Sequence, residues 1–90
     1  MARFKPQVSY ITKDSLNEYY KSSKPKSMYI TKHFSTYSEL KKSLPEICEC
    51  NIDVDGVHVV RSRRGQWGEY NERWKLDISG KPIIINETWS

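Results

Sequence analysis

The sequence predicts an α+β domain: an antiparallel β-sheet, mostly a C-terminal β-meander, covered on one face by one or two short helices. Three observations carry this. Thr36-x-x-Glu39 is a capping box, and Tyr37, Leu40, Leu44 and Ile47 follow it at helical spacing. Asp55-Gly56 is a two-residue hairpin signal between apolar runs. Residues 70–78 alternate, with Tyr70, Trp74, Leu76 and Ile78 on one side and Asn71, Arg73, Lys75 and Asp77 on the other. Glu72 is the exception on the apolar side.

Ninety residues make a single small domain, with 37% hydrophobic residues for one modest core. A partly flexible N-terminal segment and basic linker are expected over 1–27 and a compact core over 28–90. In order, residues 4–12 read as a short extended segment, placed at a sheet edge because Pro6 cannot donate to a ladder. Asp14 is the expected cap of a helix over 15–21 that buries Leu16, Tyr19 and Tyr20. Ser22-Ser23-Lys24-Pro25-Lys26-Ser27 is a polar, proline-broken connector. Residues 28–34 have strand character. The capped helix from Thr36 is expected to stop near Leu44, before Pro45.

From Cys48 onward the pattern is β. The Asp55-Gly56 turn pairs Val54 with Val57 and Ile52 with Val59, and places Asp53 opposite His58. A type II′ turn at Gly80-Lys81 matches Ile78 with Ile83 and Leu76 with Ile85. The expected core is Leu40, Val57, Val59, Trp74, Leu76, Ile78, Ile83 and Ile85.

The net charge is +4, from 15 basic and 11 acidic residues. The positive excess sits in residues 1–30, with six basic against two acidic groups, and in residues 61–75, with five against two. Such blocks suit polyanionic partners. Residues 57–74 hold four of the five arginines and two of the three tryptophans. Guanidinium groups fork onto phosphate, and an aromatic ring stacks a base. The sequence therefore points to a small basic, non-enzymatic protein associated with RNA or single-stranded nucleic acid. The contact set is Arg61, Arg63, Arg64, Trp67, Arg73 and Lys75, expected to converge at one end of the sheet, with Lys24, Lys26 and Tyr70 as additional contacts.

Two rival readings use the same residues. Arg, Trp and Tyr are also interface hot-spot residues, so the chain could be a phage- or mobile-element-type inhibitor or antitoxin-like protein that docks on a host protein or nucleoprotein. A small sheet-based ribonuclease would use His58, Arg61, Arg63 and Tyr70. No catalytic motif is legible: a cross-strand Asp53–His58 pair lacks a nucleophile, and there is no phosphate-binding glycine loop. No cofactor and no metal are expected. Cys48-x-Cys50 is narrower than structural zinc spacing, and both cysteines read as buried small hydrophobes. The N-terminal residues lack the apolar stretch of a signal peptide, no apolar run approaches about 18 residues, and a reducing, cytoplasmic setting is expected.

Overall fold

A computed structural model of the protein describes residues 5–22, 27–62 and 68–89. The elements run β1 (Gln7–Tyr10), α1 (Lys13–Lys21), β2 (Ile30–His33), α2 (Tyr37–Cys50), β3 (Val57–Ser62), β4 (Glu69–Leu76) and β5 (Pro82–Trp89). They build one five-stranded sheet of order β2-β1-β3-β4-β5, with every neighbouring pair antiparallel. The C-terminal meander β3-β4-β5 forms the larger part, as the alternating pattern requires. No helix among the described residues is long and apolar enough to cross a membrane.

Strand alternation sorts the sheet into two faces. Val8 and Tyr10, Val57 and Val59, and Tyr70, Glu72 and Trp74 share one face through the β1–β3 and β3–β4 registers. Leu40, Leu44, Ile47 and Cys48 of α2 pack on it, and together these apolar side chains are the core. Burying each such side chain contributes about 1.5–3 kcal/mol.

The core starts earlier in the chain than the expected 28–90 boundary. β1 lies between β2 and β3, and Val8 is fully buried. Pro6 does not force an edge position because it precedes the first ladder residue, and its carbonyl accepts the Phe34 N–H at 2.9 Å. The four-residue β2 takes the edge instead. In α1 the cap is Thr12, whose Oγ1 accepts the Ser15 N–H at 3.1 Å while Ser15 Oγ accepts the Thr12 N–H at 2.9 Å. Asp14 sits in the first turn, where its charge suits the helix dipole. No residue of α1 is buried: Leu16 and Tyr19 are half-exposed and Tyr20 is exposed.

Thr36 caps α2 as expected, its Oγ1 accepting the Glu39 N–H. The helix does not end at Leu44 but runs through Pro45 to Cys50. An interior proline removes one hydrogen bond, at a cost of about 3 kcal/mol. Burial of Ile47 and Cys48 beyond it offsets that cost. The helix exit is then fastened to the end of β1. Asn51 Oδ1 accepts the Ile11 and Asp53 N–H groups at 3.2 and 3.0 Å, and the Ile52 N–H donates to the Ile11 carbonyl at 2.7 Å.

Residues 51–56 are therefore a turn rather than a strand, and the expected pairing of Ile52 and Val54 with β3 is absent. Val54 is 81% exposed. The Asp55-Gly56 turn exists, closed by the Gly56 N–H on the Asp53 carbonyl at 3.0 Å, but it leads from a helix into β3. Gly56 has φ +94°, a region open to glycine. A Cβ there would lie 2.8 Å from the Trp74 carbonyl oxygen.

The second hairpin also differs in register. Its loop is Ile78-Ser79-Gly80, closed by the Asp77 N–H on the Lys81 carbonyl at 2.8 Å, with Gly80 at φ +86°. A three-residue loop ending in a left-handed glycine replaces the II′ turn. Leu76 consequently pairs with Pro82, and Lys75 with Ile83. Ile78 stands at the tip at 109% exposure, Ile83 and Ile85 are exposed, and Leu76 is partly buried against the core.

Candidate nucleic-acid interface

The covered face ends, toward the β3–β4 connection, in a charged cluster. Register places Arg61 opposite Tyr70 and Val59 opposite Glu72. Tyr37, at the first turn of α2, hangs over this end of the sheet. Its hydroxyl donates to both Glu72 oxygens, at 2.8 and 3.0 Å. The Arg61 guanidinium lies 4.0 Å from the Tyr37 ring centroid and 4.7 Å from that of Tyr70. Arg61 Nε is buried without a hydrogen-bond partner among the described residues. On the far side Tyr70 donates to Glu87 Oε1, and its ring lies 4.2 Å from that of Trp89.

Glu72, only 2% exposed, is the carboxylate this arrangement serves. A buried charge is tolerated when hydrogen-bonded and matched by a counter-charge. Burial and the hydrogen bond to Glu72 raise the Tyr37 hydroxyl above the usual phenol range. The bond to Glu87, followed by burial, pushes Tyr70 up to about 12. Both phenols thus stay protonated donors at neutral pH, and Arg61 is held between two rings.

The opposite face is the one turned away from α2. Alternation gives it Gln7 and Ser9, Thr31 and His33, His58 and Val60, Asn71, Arg73 and Lys75, and Ile83, Asn86 and Thr88. Glu69, at the start of β4, is its one carboxylate within the strands. Lys75 is exposed. Arg73 is steadied from the β3 side, with Nη1 3.3 Å from the Gly56 carbonyl and 4.0 Å from Asp53 Oδ2. His58 Nε2 is 2.9 Å from Asn71 Oδ1. His58, Asn71, Arg73, Asn86 and Thr88 line an open depression of about 190 Å³. A second depression, of about 220 Å³, lies at the C-terminal end of α2 against Trp74 and Leu76.

Among the described residues, the expected contacts Arg61, Tyr70, Arg73 and Lys75 do not converge at one end of the sheet. Arg61 and Tyr70 belong to the covered face, whereas Arg73 and Lys75 belong to the open face, farther along β4. Strand alternation enforces the split, because residues 61 and 73 have opposite orientation in the paired register. Arg63, Arg64, Trp67, Lys24 and Lys26 lie outside the described residues. The ribonuclease set is divided in the same way, with His58 on the open face and Arg61 and Tyr70 on the covered one. Asp53 is not across from His58; it lies near Arg73. Cys48 and Cys50 are on α2, the first buried and the second exposed, and burial raises the Cys48 thiol. No group of three or more metal-ligating side chains occurs among the described residues.

Asn71, Asn86 and Thr88 were not among the expected contacts. The signal for Asn71 was present in the β4 alternation. That for Asn86 and Thr88 was hidden by an irregularity between Arg73 and Trp74 that shifts the β5 register. No protein-family model, curated protein or solved structure matches the chain.

Proposed function

We propose that this protein is a small, non-enzymatic binding protein for single-stranded nucleic acid, RNA or single-stranded DNA, which it receives on the face of the sheet opposite α2. The observation that carries the reading is the composition of that face. Arg73, Lys75, His33 and His58 stand among amide and hydroxyl side chains, and the one strand carboxylate, Glu69, lies at its rim. Cations meet phosphates, while amides and hydroxyls suit sugars and base edges. Arg63, Arg64 and Trp67 belong in sequence to the connection between β3 and β4, and add cationic and stacking groups to the same reading. Arg61 lies on the covered face, against the rings of Tyr37 and Tyr70, and is not part of this surface.

Fluorescence anisotropy with a labelled single-stranded oligonucleotide tests this. Affinity should fall with salt at a log–log slope of about −0.7 per phosphate contact. Lys75→Gln should make the slope shallower by roughly one contact, similarly for all sequences. Absence of salt-dependent binding to RNA and to single-stranded DNA refutes the reading.

The inhibitor reading has a specific observation in its favour. β5 is an eight-residue edge strand without a lysine, and Ile83, Ile84 and Ile85 on it are all exposed. Such an edge suits pairing with another chain. A pull-down whose protein partner survives nuclease treatment, and is lost on Ile84→Lys, would favour that reading.

A further inference from the structure

We infer that the depression lined by His58, Asn71, Arg73, Asn86 and Thr88 is a phosphoryl-binding subsite, the point at which one phosphate of a bound strand is seated. The inference rests on the proposed nucleic-acid reading and names the place of closest contact within it.

The five residues form two rows across three adjacent strands. His58, Arg73 and Asn86 are register partners in one row, and Asn71 and Thr88 are partners in the next. Neighbouring strands lie about 4.8 Å apart, so the row members flank one another at hydrogen-bonding reach of a common ligand. The depression of about 190 Å³ has the room of roughly six waters, ample for a phosphoryl group.

Asn71, Arg73, Asn86 and Thr88 each bring a donor to the depression, while the His58 Nε2 proton is engaged by Asn71. Asn71 Oδ1 is an acceptor, so the 2.9 Å contact requires His58 Nε2 to carry the proton. The Asn71 Nδ2 protons, the Asn86 amide and the Thr88 hydroxyl have no partner among the described residues. Arg73 has five N–H donors, and its tether to Gly56 engages Nη1. Asp53, 4.0 Å from that nitrogen, does not line the depression.

The register irregularity is what makes this surface polar. Trp74 pairs with Ile84, so an unbroken ladder would set Ile85 opposite Arg73 and Glu87 opposite Asn71. The bulge inserts one residue into β5. Asn86 then stands opposite Arg73 and Thr88 opposite Asn71, while Glu87 moves to the covered face and accepts from Tyr70. One inserted residue thus exchanges an isoleucine and a carboxylate for an amide and a hydroxyl. Re-aiming side chains beside a site is a recurrent use of bulges.

The experiment is amide NMR of the full chain, titrated with inorganic phosphate and, separately, with a single-stranded octathymidylate. Both should shift the side-chain NH2 signals of Asn71 and Asn86, the oligonucleotide at lower concentration. A methylphosphonate octamer, which lacks the backbone charge, should shift them little. Asn86→Leu and Thr88→Val alter exposed side chains and should each weaken oligonucleotide binding about tenfold, with an unchanged thermal melt. If the octamer binds while the Asn71 and Asn86 amides stay unmoved, the subsite is refuted and the nucleic-acid reading stands. If phosphate shifts the amides and no oligonucleotide binds, the subsite stands for a free phosphoryl ligand and the nucleic-acid reading falls. If neither ligand moves them and none binds, both are overturned.

Discussion

Tyr37→Phe is the most informative single change to the fold. It removes one hydroxyl and leaves the ring that stacks on Arg61 at 4.0 Å. The lost proton is the one shared between the Glu72 oxygens at 2.8 and 3.0 Å, and Glu72 is 2% exposed. A hydrogen bond to a charged group contributes about 1.5–3 kcal/mol. We therefore expect a loss of about 2–3 kcal/mol, from a total on the order of 5–10 kcal/mol for a domain this small. The melting temperature should fall by roughly 10–20 °C, at about 4–8 °C per kcal/mol. Urea denaturation supplies the free energy, and calorimetry the temperature. A second variant identifies the cause. Glu72→Leu in the Tyr37→Phe background removes both polar partners and should recover part of the loss, because replacing a whole buried polar pair costs less than orphaning one member. A Tyr37→Phe variant within about 0.5 kcal/mol of the parent would refute the account of Glu72 as a carboxylate dependent on that donor.

Leu40→Ala should cost about 2–5 kcal/mol, because Leu40 of α2 is fully buried against the sheet. Ile78→Ser should stay within about 0.5 kcal/mol, and a larger loss by urea denaturation would contradict the observed hairpin register. Gly56→Ala should destabilise by at least about 2 kcal/mol in the same assay, since a left-handed alanine costs about 1–2 kcal/mol and its Cβ would meet the Trp74 carbonyl oxygen at 2.8 Å; a neutral result would show that this turn relaxes freely. Tyr37 and Tyr70 are both raised above the ordinary value of 10.0, Tyr70 to about 12, so the folded state holds these protons more tightly than the unfolded state. Their contribution is complete below pH 10 and is lost as pH rises from 10 through 12. Melting temperature should fall over that window, and more gently in the Tyr37→Phe/Tyr70→Phe double variant; parallel curves would contradict the assignment.

Local chemistry in the sequence determined the class of fold and several of its parts. The Thr36 cap and the Leu40, Leu44 and Ile47 stripe specify α2 and its buried face, because capping and a 3.6-residue period act within a few turns. Alternation over residues 70–76 specifies β4 and even marks Glu72 as the inward-facing exception. The tertiary structure decided what depends on distant partners. Burial of Ile47 and Cys48 carried α2 through Pro45, and attachment of Asn51 and Ile52 to Ile11 turned the expected strand at 51–54 into a loop. Pairing on both sides drew β1 into the sheet interior. One bulge in β5 shifted a register that turn chemistry alone had placed elsewhere, sending Glu87 to Tyr70 and bringing Asn86 and Thr88 beside Arg73. Lysine and arginine content together made the chain legible as basic. Which face Arg61 and Arg73 occupy was set by cross-strand register, a long-range property that no local window contains.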